Sequence, residues 1–124
     1  MKQSRIPSDE EFARASAAMR KRSRGLSLVR EQVVSQFREN GEIHEFFIMD
    51  CSEFSFRASV FYRWNRQIQE AKESGLEPRI IAATYDELEK AGRGDLRTIE
   101  VEFDFDSQEN VEANFEGDYF LRLR

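Results

Sequence analysis

The chain has 124 residues, a mass of 14.6 kDa, a formal net charge of −5 and a single cysteine. That length points to a single domain, 1–124, and a composition 40 % hydrophobic with eleven Phe can fill one core without staples. One Cys excludes an internal disulfide, no apolar run reaches the roughly 18 residues of a membrane span, and the acidic balance disfavours a nucleic-acid module.

Met1-Lys2-Gln3-Ser4-Arg5 leads into a charged segment, so no signal peptide and a reduced, cytoplasmic setting are expected. Pro7-Ser8-Asp9-Glu10-Glu11 opens a helix, with Ser8 as N-cap and Glu11 completing a capping box. Phe12, Ala15 and Met19 follow at helical spacing. The helix is expected to stop before Gly25, its basic last turn (Arg20, Lys21, Arg22, Arg24) complementing the negative end of the dipole. A second helix runs from about 26 to 39, with Leu26, Val29, Val33 and Phe37 on one stripe and Gly41 closing it. Residues 1–40 thus read as an N-terminal helical pair.

The texture changes in 42–124, the sheet region. Ile43–Cys51, with Phe46, Phe47, Ile48 and Met49, suits a strand. Phe54 to Tyr62 alternates with polar residues, and the two runs are close enough for a hairpin through Asp50–Glu53. Trp64–Ser74 reads as a helix with Gly75 past its end. Pro78–Ala83 is compatible with a short strand, and Thr84 with Glu87 forms a capping box for a short helix ending at Gly92. Arg93-Gly94-Asp95 reads as a turn rather than an adhesion motif. Asp106 with Glu109 caps a helix through about Phe115, Glu116-Gly117-Asp118 turns, and Tyr119–Leu123 alternates as a last strand. The expected fold class is α+β: a mostly antiparallel sheet of about four strands with helices on one face.

Charge is unevenly distributed. Residues 1–38 carry a net +5, residues 39–97 a net −4, and Thr98–Asp118 holds eight acids without a base. Within that stretch Glu100, Glu102, Asp104 and Asp106 alternate with Ile99, Val101, Phe103 and Phe105, followed by Glu109, Glu112, Glu116 and Asp118. Strict period-two alternation puts the apolar set on the core and Glu100, Glu102 and Asp104 on the outer face, because a one-residue slip would bury the charges. Same-face carboxylates about 6.5–7 Å apart could share a divalent ion, but a metal-dependent nuclease needs ligands from other elements as well. His44 and Asp50 are available and nothing ties them to this strand. His44 and Cys51 fall at opposite ends of one strand, about 20 Å apart, too far for a nucleophilic pair. Cys51 has no C-x-x-C context, and no G-x-S-x-G elbow or Gly-rich phosphate loop occurs.

Catalytic equipment is sparse and the acidic face is dense, so a protein-binding module outranks an enzyme. In its size, acidity, α+β pattern and lack of catalytic residues the chain resembles the small acidic immunity proteins of bacterial contact-dependent and polymorphic toxin systems. The resemblance implies a basic protein partner, a co-encoded toxin such as a nuclease. From the residues themselves, with no second set of ligands and no apolar span, no cofactor, metal or membrane is expected. The residues expected to bind it are Glu100, Glu102, Asp104, Asp106, Glu109 and Glu112, with Tyr62, Trp64 and Tyr119 as aromatic anchors. Two rival readings are a small metal-dependent nucleic-acid enzyme using the acidic strand, and a DNA-associated regulator using the basic cluster at 20–24.

Overall fold

The computed structural model describes residues 9–124, with side chains from residue 25 onward and at 9, 10, 13 and 14. The expected Ser8 capping box, the Phe12–Met19 stripe and the side chains of the basic cluster at 20–24 lie outside the described residues. The first helix, α1 (Asp9–Arg38), is continuous through Gly25, so one helix stands where a pair was expected. A mid-helix glycine costs about 1 kcal/mol. Downstream, Leu26, Val29, Val33 and Phe37 are all buried, and their packing outweighs that penalty.

The hairpin forms as expected from β1 (Glu45–Asp50) and β2 (Ser55–Tyr62), antiparallel with Phe46 opposite Val60 and Ile48 opposite Ala58. From β2 the chain enters α2 (Arg66–Ser74) and bends at Gly75, whose φ of 85° is the left-handed conformation a glycine adopts without strain. It continues at once as α3 (Leu76–Lys90). Pro78–Ala83 is therefore helix, not strand. Pro78 sits in the first turn, where a missing N–H removes no helical bond. Thr84 lies mid-helix, not at a cap, and its hydroxyl donates to the Ile80 carbonyl at 2.8 Å.

The acidic strand is β3 (Glu100–Ser107), and it pairs with β2 in parallel, Arg57 beside Glu102 and Phe61 beside Asp106. The sheet is thus three-stranded and mixed, in the order β1-β2-β3, where about four mostly antiparallel strands were expected. A parallel pair needs a crossover, and α2 and α3 supply it. Ser107, one residue later than expected, caps α4 (Gln108–Asn114), its Oγ accepting the Asn110 N–H at 3.0 Å. The final run is a helical turn, α5 (Tyr119–Arg122), not a strand. Asp118 caps it by accepting the Phe120 N–H at 2.8 Å, a local bond that beats the alternating pattern of the side chains.

One sheet face, carrying Phe46, Phe56, Ala58, Val60 and Tyr62, packs with the stripe of α1 and with Ile80 and Leu88 of α3. The opposite face is covered at one end by α5, where Phe47, Phe61 and Tyr119 form an aromatic cluster with centroids 4.7–6.0 Å apart. Both sheet edges are met by side chains. Arg30 Nε donates to the Phe46 carbonyl at 2.9 Å while bonding Glu45 at 2.5 Å, and the Tyr85 hydroxyl accepts the Val101 N–H at 3.2 Å. Such caps discourage edge-to-edge pairing.

Tyr62 is 1 % exposed, stacks on Phe105, and its hydroxyl has no hydrogen-bond partner among the described residues. Burial, and then the charge of Glu77, pushes that phenol far above its usual range. Tyr62→Phe removes an unpaired buried polar group and is expected to raise stability by about 1 kcal/mol, read as a higher urea midpoint at unchanged m-value.

Candidate functional site

The alternation in β3 places its side chains as expected by face: Ile99, just before the strand, is buried, Val101, Phe103 and Phe105 are partly buried against the core, and Glu100 and Glu102 are exposed. Asp104 and Asp106 share the face of Glu100 and Glu102 but not their exposure. α5 folds back over that end of the strand and delivers Arg122. Its Nε donates to Asp106 at 2.5 Å and its second nitrogen to Asp104 at 2.6 Å, while its guanidinium lies 5.9 Å from the rings of Phe61 and Phe115. Asp106 also accepts the Ser107 N–H at 2.8 Å and the Asn110 amide at 2.9 Å, and only 8 % of the residue is exposed. Burial works against the Arg122 charge, but the bonds it gives to Asp106 and Asp104 outweigh that and hold it above its ordinary value. These two carboxylates form an internal lock, not a free acidic surface.

Glu109 and Glu112 are committed in a different way. Glu109 accepts the Asn65 N–H at 2.8 Å and so fastens α4 to the turn after β2. Glu112 lies 3.7 Å from Arg63 and accepts from Gln108 at 3.0 Å. Arg63 in turn stacks 4.8 Å above Trp64, which is 43 % exposed. Of the three aromatics expected as anchors, Trp64 is thus the accessible one. Tyr119 is half-buried in the cluster with Phe47 and Phe61, and its hydroxyl is hydrogen-bonded to Gln108. Burial, with Glu45 and Glu112 nearby, pushes its phenol up to about 12. Tyr62 belongs to the core, where no partner can reach it.

Glu100 and Glu102 therefore remain as the open part of the acidic strand. Neither carries a hydrogen bond from a side chain or an ion pair among the described residues. They line a shallow cleft of about 470 Å³ with Cys51, Ser55 and Phe56, at the end of the sheet that α5 leaves uncovered. Nothing in this arrangement gathers a metal centre: among the described residues no group of three or more His, Cys, Asp or Glu could hold a metal ion. His44 precedes β1 and Cys51 follows it, so the strand separates them. Burial, then the charges of Arg63 and Arg38, lowers the His44 pKa and favours the neutral ring.

Two features escaped the reading of the sequence. Arg122 could have been found, because a base shortly after a block of acids invites pairing within the chain. The second is a groove of about 630 Å³ along α3, bounded by Leu96 of the following loop. Its residues looked like ordinary helix and turn positions. No helix among the described residues is long and apolar enough to cross a membrane. Comparison with family models, with curated proteins and with solved structures finds no match.

Proposed function

We propose that the chain is a non-catalytic binding module, an immunity protein that neutralises a basic toxin encoded beside it in the cytoplasm of the producing cell. The observation that carries this reading is the contrast along β3. Glu100 and Glu102 are exposed and make no ion pair among the described residues, even with Arg57 the register neighbour of Glu102, whereas Asp104 and Asp106 are held by Arg122. Acids that served only to fasten the fold would be paired like the second two. Open carboxylates on a rigid strand keep a fixed negative potential, which steers a basic surface into contact and shields it from its own substrate. Trp64, exposed under the Arg63 guanidinium that also lies near Glu112, is the aromatic available to add contact area just past the end of β2.

The test is association kinetics with the product of the adjacent gene over a salt series. Glu100→Lys with Glu102→Lys is expected to slow the on-rate about tenfold at low salt and flatten its salt dependence, with little change in the off-rate. Both side chains are exposed, so the thermal midpoint should hold. An unchanged rate and salt slope would place any interface elsewhere and remove the basis for this reading.

A further inference from the structure

We propose that the groove along α3 seats an amphipathic helix whose apolar stripe is flanked by lysine and arginine. This helix would be the docking element of the basic partner proposed above, and the inference rests on that reading. The groove follows one stripe of α3. Glu77, Ile81, Tyr85 and Glu89 recur every fourth residue, with Ala82 beside them and Leu96 forming the far wall. A stripe from Glu77 to Glu89 is about 18 Å long, three turns, which is the contact length of a helix laid in a groove. Leu96 is 74 % exposed, a large apolar side chain with nothing over it among the described residues. A single exposed leucine needs no explanation, but one that closes an apolar groove does.

The rim selects the occupant. Asp86 is held by Lys90 at 3.0 Å. Glu77 and Glu89 have no ion pair among the described residues, and Lys72 is the one base on the rim. An apolar floor between unpaired acids favours a helix with bases on either side of its apolar stripe and disfavours an acidic one. The groove also adjoins the acidic strand, since Tyr85 on its wall bonds the backbone of Val101, between Glu100 and Glu102. The groove thus reaches the edge of β3, and a basic partner that meets both must wrap round that edge, because Glu100 and Glu102 project from the sheet face opposite α3. The groove supplies the apolar anchoring that Tyr62 and Tyr119, committed inside the fold, do not.

The experiment is a titration of the ¹⁵N-labelled full chain with a synthetic amphipathic Leu/Lys helix of about 15 residues, the length of α3, at physiological salt of about 0.15 M. Shift changes are expected to centre on Ile81, Ala82, Tyr85 and Leu96 and to saturate. Ala82→Arg should weaken binding at least tenfold. Glu89→Lys, an exposed change that cannot disturb the core, should weaken it severalfold. The Glu100→Lys, Glu102→Lys variant should keep this binding, so its failure to bind the adjacent gene product and a failure of the groove are read separately. The proposal is overturned by shift changes confined to β3, by equal affinity for a Leu/Glu peptide, or by wild-type affinity in both groove variants. It is equally overturned by a homodimer that Ala82→Arg dissociates in sedimentation, which would make a second copy the occupant.

Discussion

Arg122→Ala is expected to destabilise the protein by about 2–3 kcal/mol. Removing one partner of a buried ion pair costs about 3–5 kcal/mol, because the other charge is left without compensation. Here the figure is lower, since the Arg122 side chain keeps 21 % of its exposure and Asp104 keeps 38 %. Asp106 is the member that suffers. Its side chain is 12 % exposed, and without the guanidinium only the Asn110 amide and the Ser107 N–H remain to satisfy it. The same substitution removes the cation from the faces of Phe61 and Phe115, loosening α5 from the sheet. Urea unfolding of Arg122→Ala, Asp106→Asn and the double variant measures the coupling. Asp106→Asn with Arg122 present should also be destabilising. In the absence of Arg122 the same change should be nearly neutral, or a gain. A loss under about 0.5 kcal/mol for Arg122→Ala would mean that α5 contributes no more than a surface salt bridge.

That lock also explains where the sequence was legible and where it was not. Period-two alternation in 99–106 placed every β3 side chain on the correct face, because the pleat alone decides face. It could not say that Asp104 and Asp106 would be covered, because coverage came from a segment read as a strand. Tyr119–Leu123 alternates as a strand would, but a four-residue element is decided by its cap, and Asp118 starts a helical turn. The break expected at Gly25 failed for a related reason. The local preference of one glycine is worth about 1 kcal/mol, and the buried stripe beyond it is worth several times that. Pro78–Ala83 is compatible with a short strand on its own residues, but it lies inside α3, where a first-turn proline is harmless. The parallel pairing of β2 and β3 then follows from α2 and α3 forming one crossover, which the misread strand had hidden. The acidic face was visible as a composition. Which of its acids are spent on the fold depended on long-range partners such as Arg122, Asn65 and Arg63, and no local pattern encodes those.

Gly94→Ala is expected to cost about 3 kcal/mol and to disturb the strand that carries Glu100 and Glu102. Gly94 has a φ of 130°, a conformation that L residues rarely adopt. A β-carbon built there would lie 2.6 Å from Ile99 Cγ2. Backbone strain of about 1–2 kcal/mol therefore adds to overpacking of about 1–3 kcal/mol. Ile99 cannot easily yield. It is β-branched, 5 % exposed, and sits in the core immediately before β3 begins. The turn around it is pinned as well. Asp95 accepts from the Arg97 and Thr98 N–H groups and from the Thr98 hydroxyl, and those bonds draw its carboxyl below the usual range, the hydroxyl most strongly. Relief must come from the loop or from the first residues of β3, and either movement shifts the two exposed acids. Gly92→Ala is the matched control. Gly92 is also left-handed, at a φ of 75°, but a β-carbon there meets nothing within 4 Å, so only the backbone penalty of about 1 kcal/mol applies. Thermal and urea unfolding give the two losses, and amide shifts of Glu100 and Glu102 give the displacement. Equal losses for the two variants, with unmoved β3 amides, would show that the loop absorbs the clash and that Gly94 does not set the register of the acidic strand.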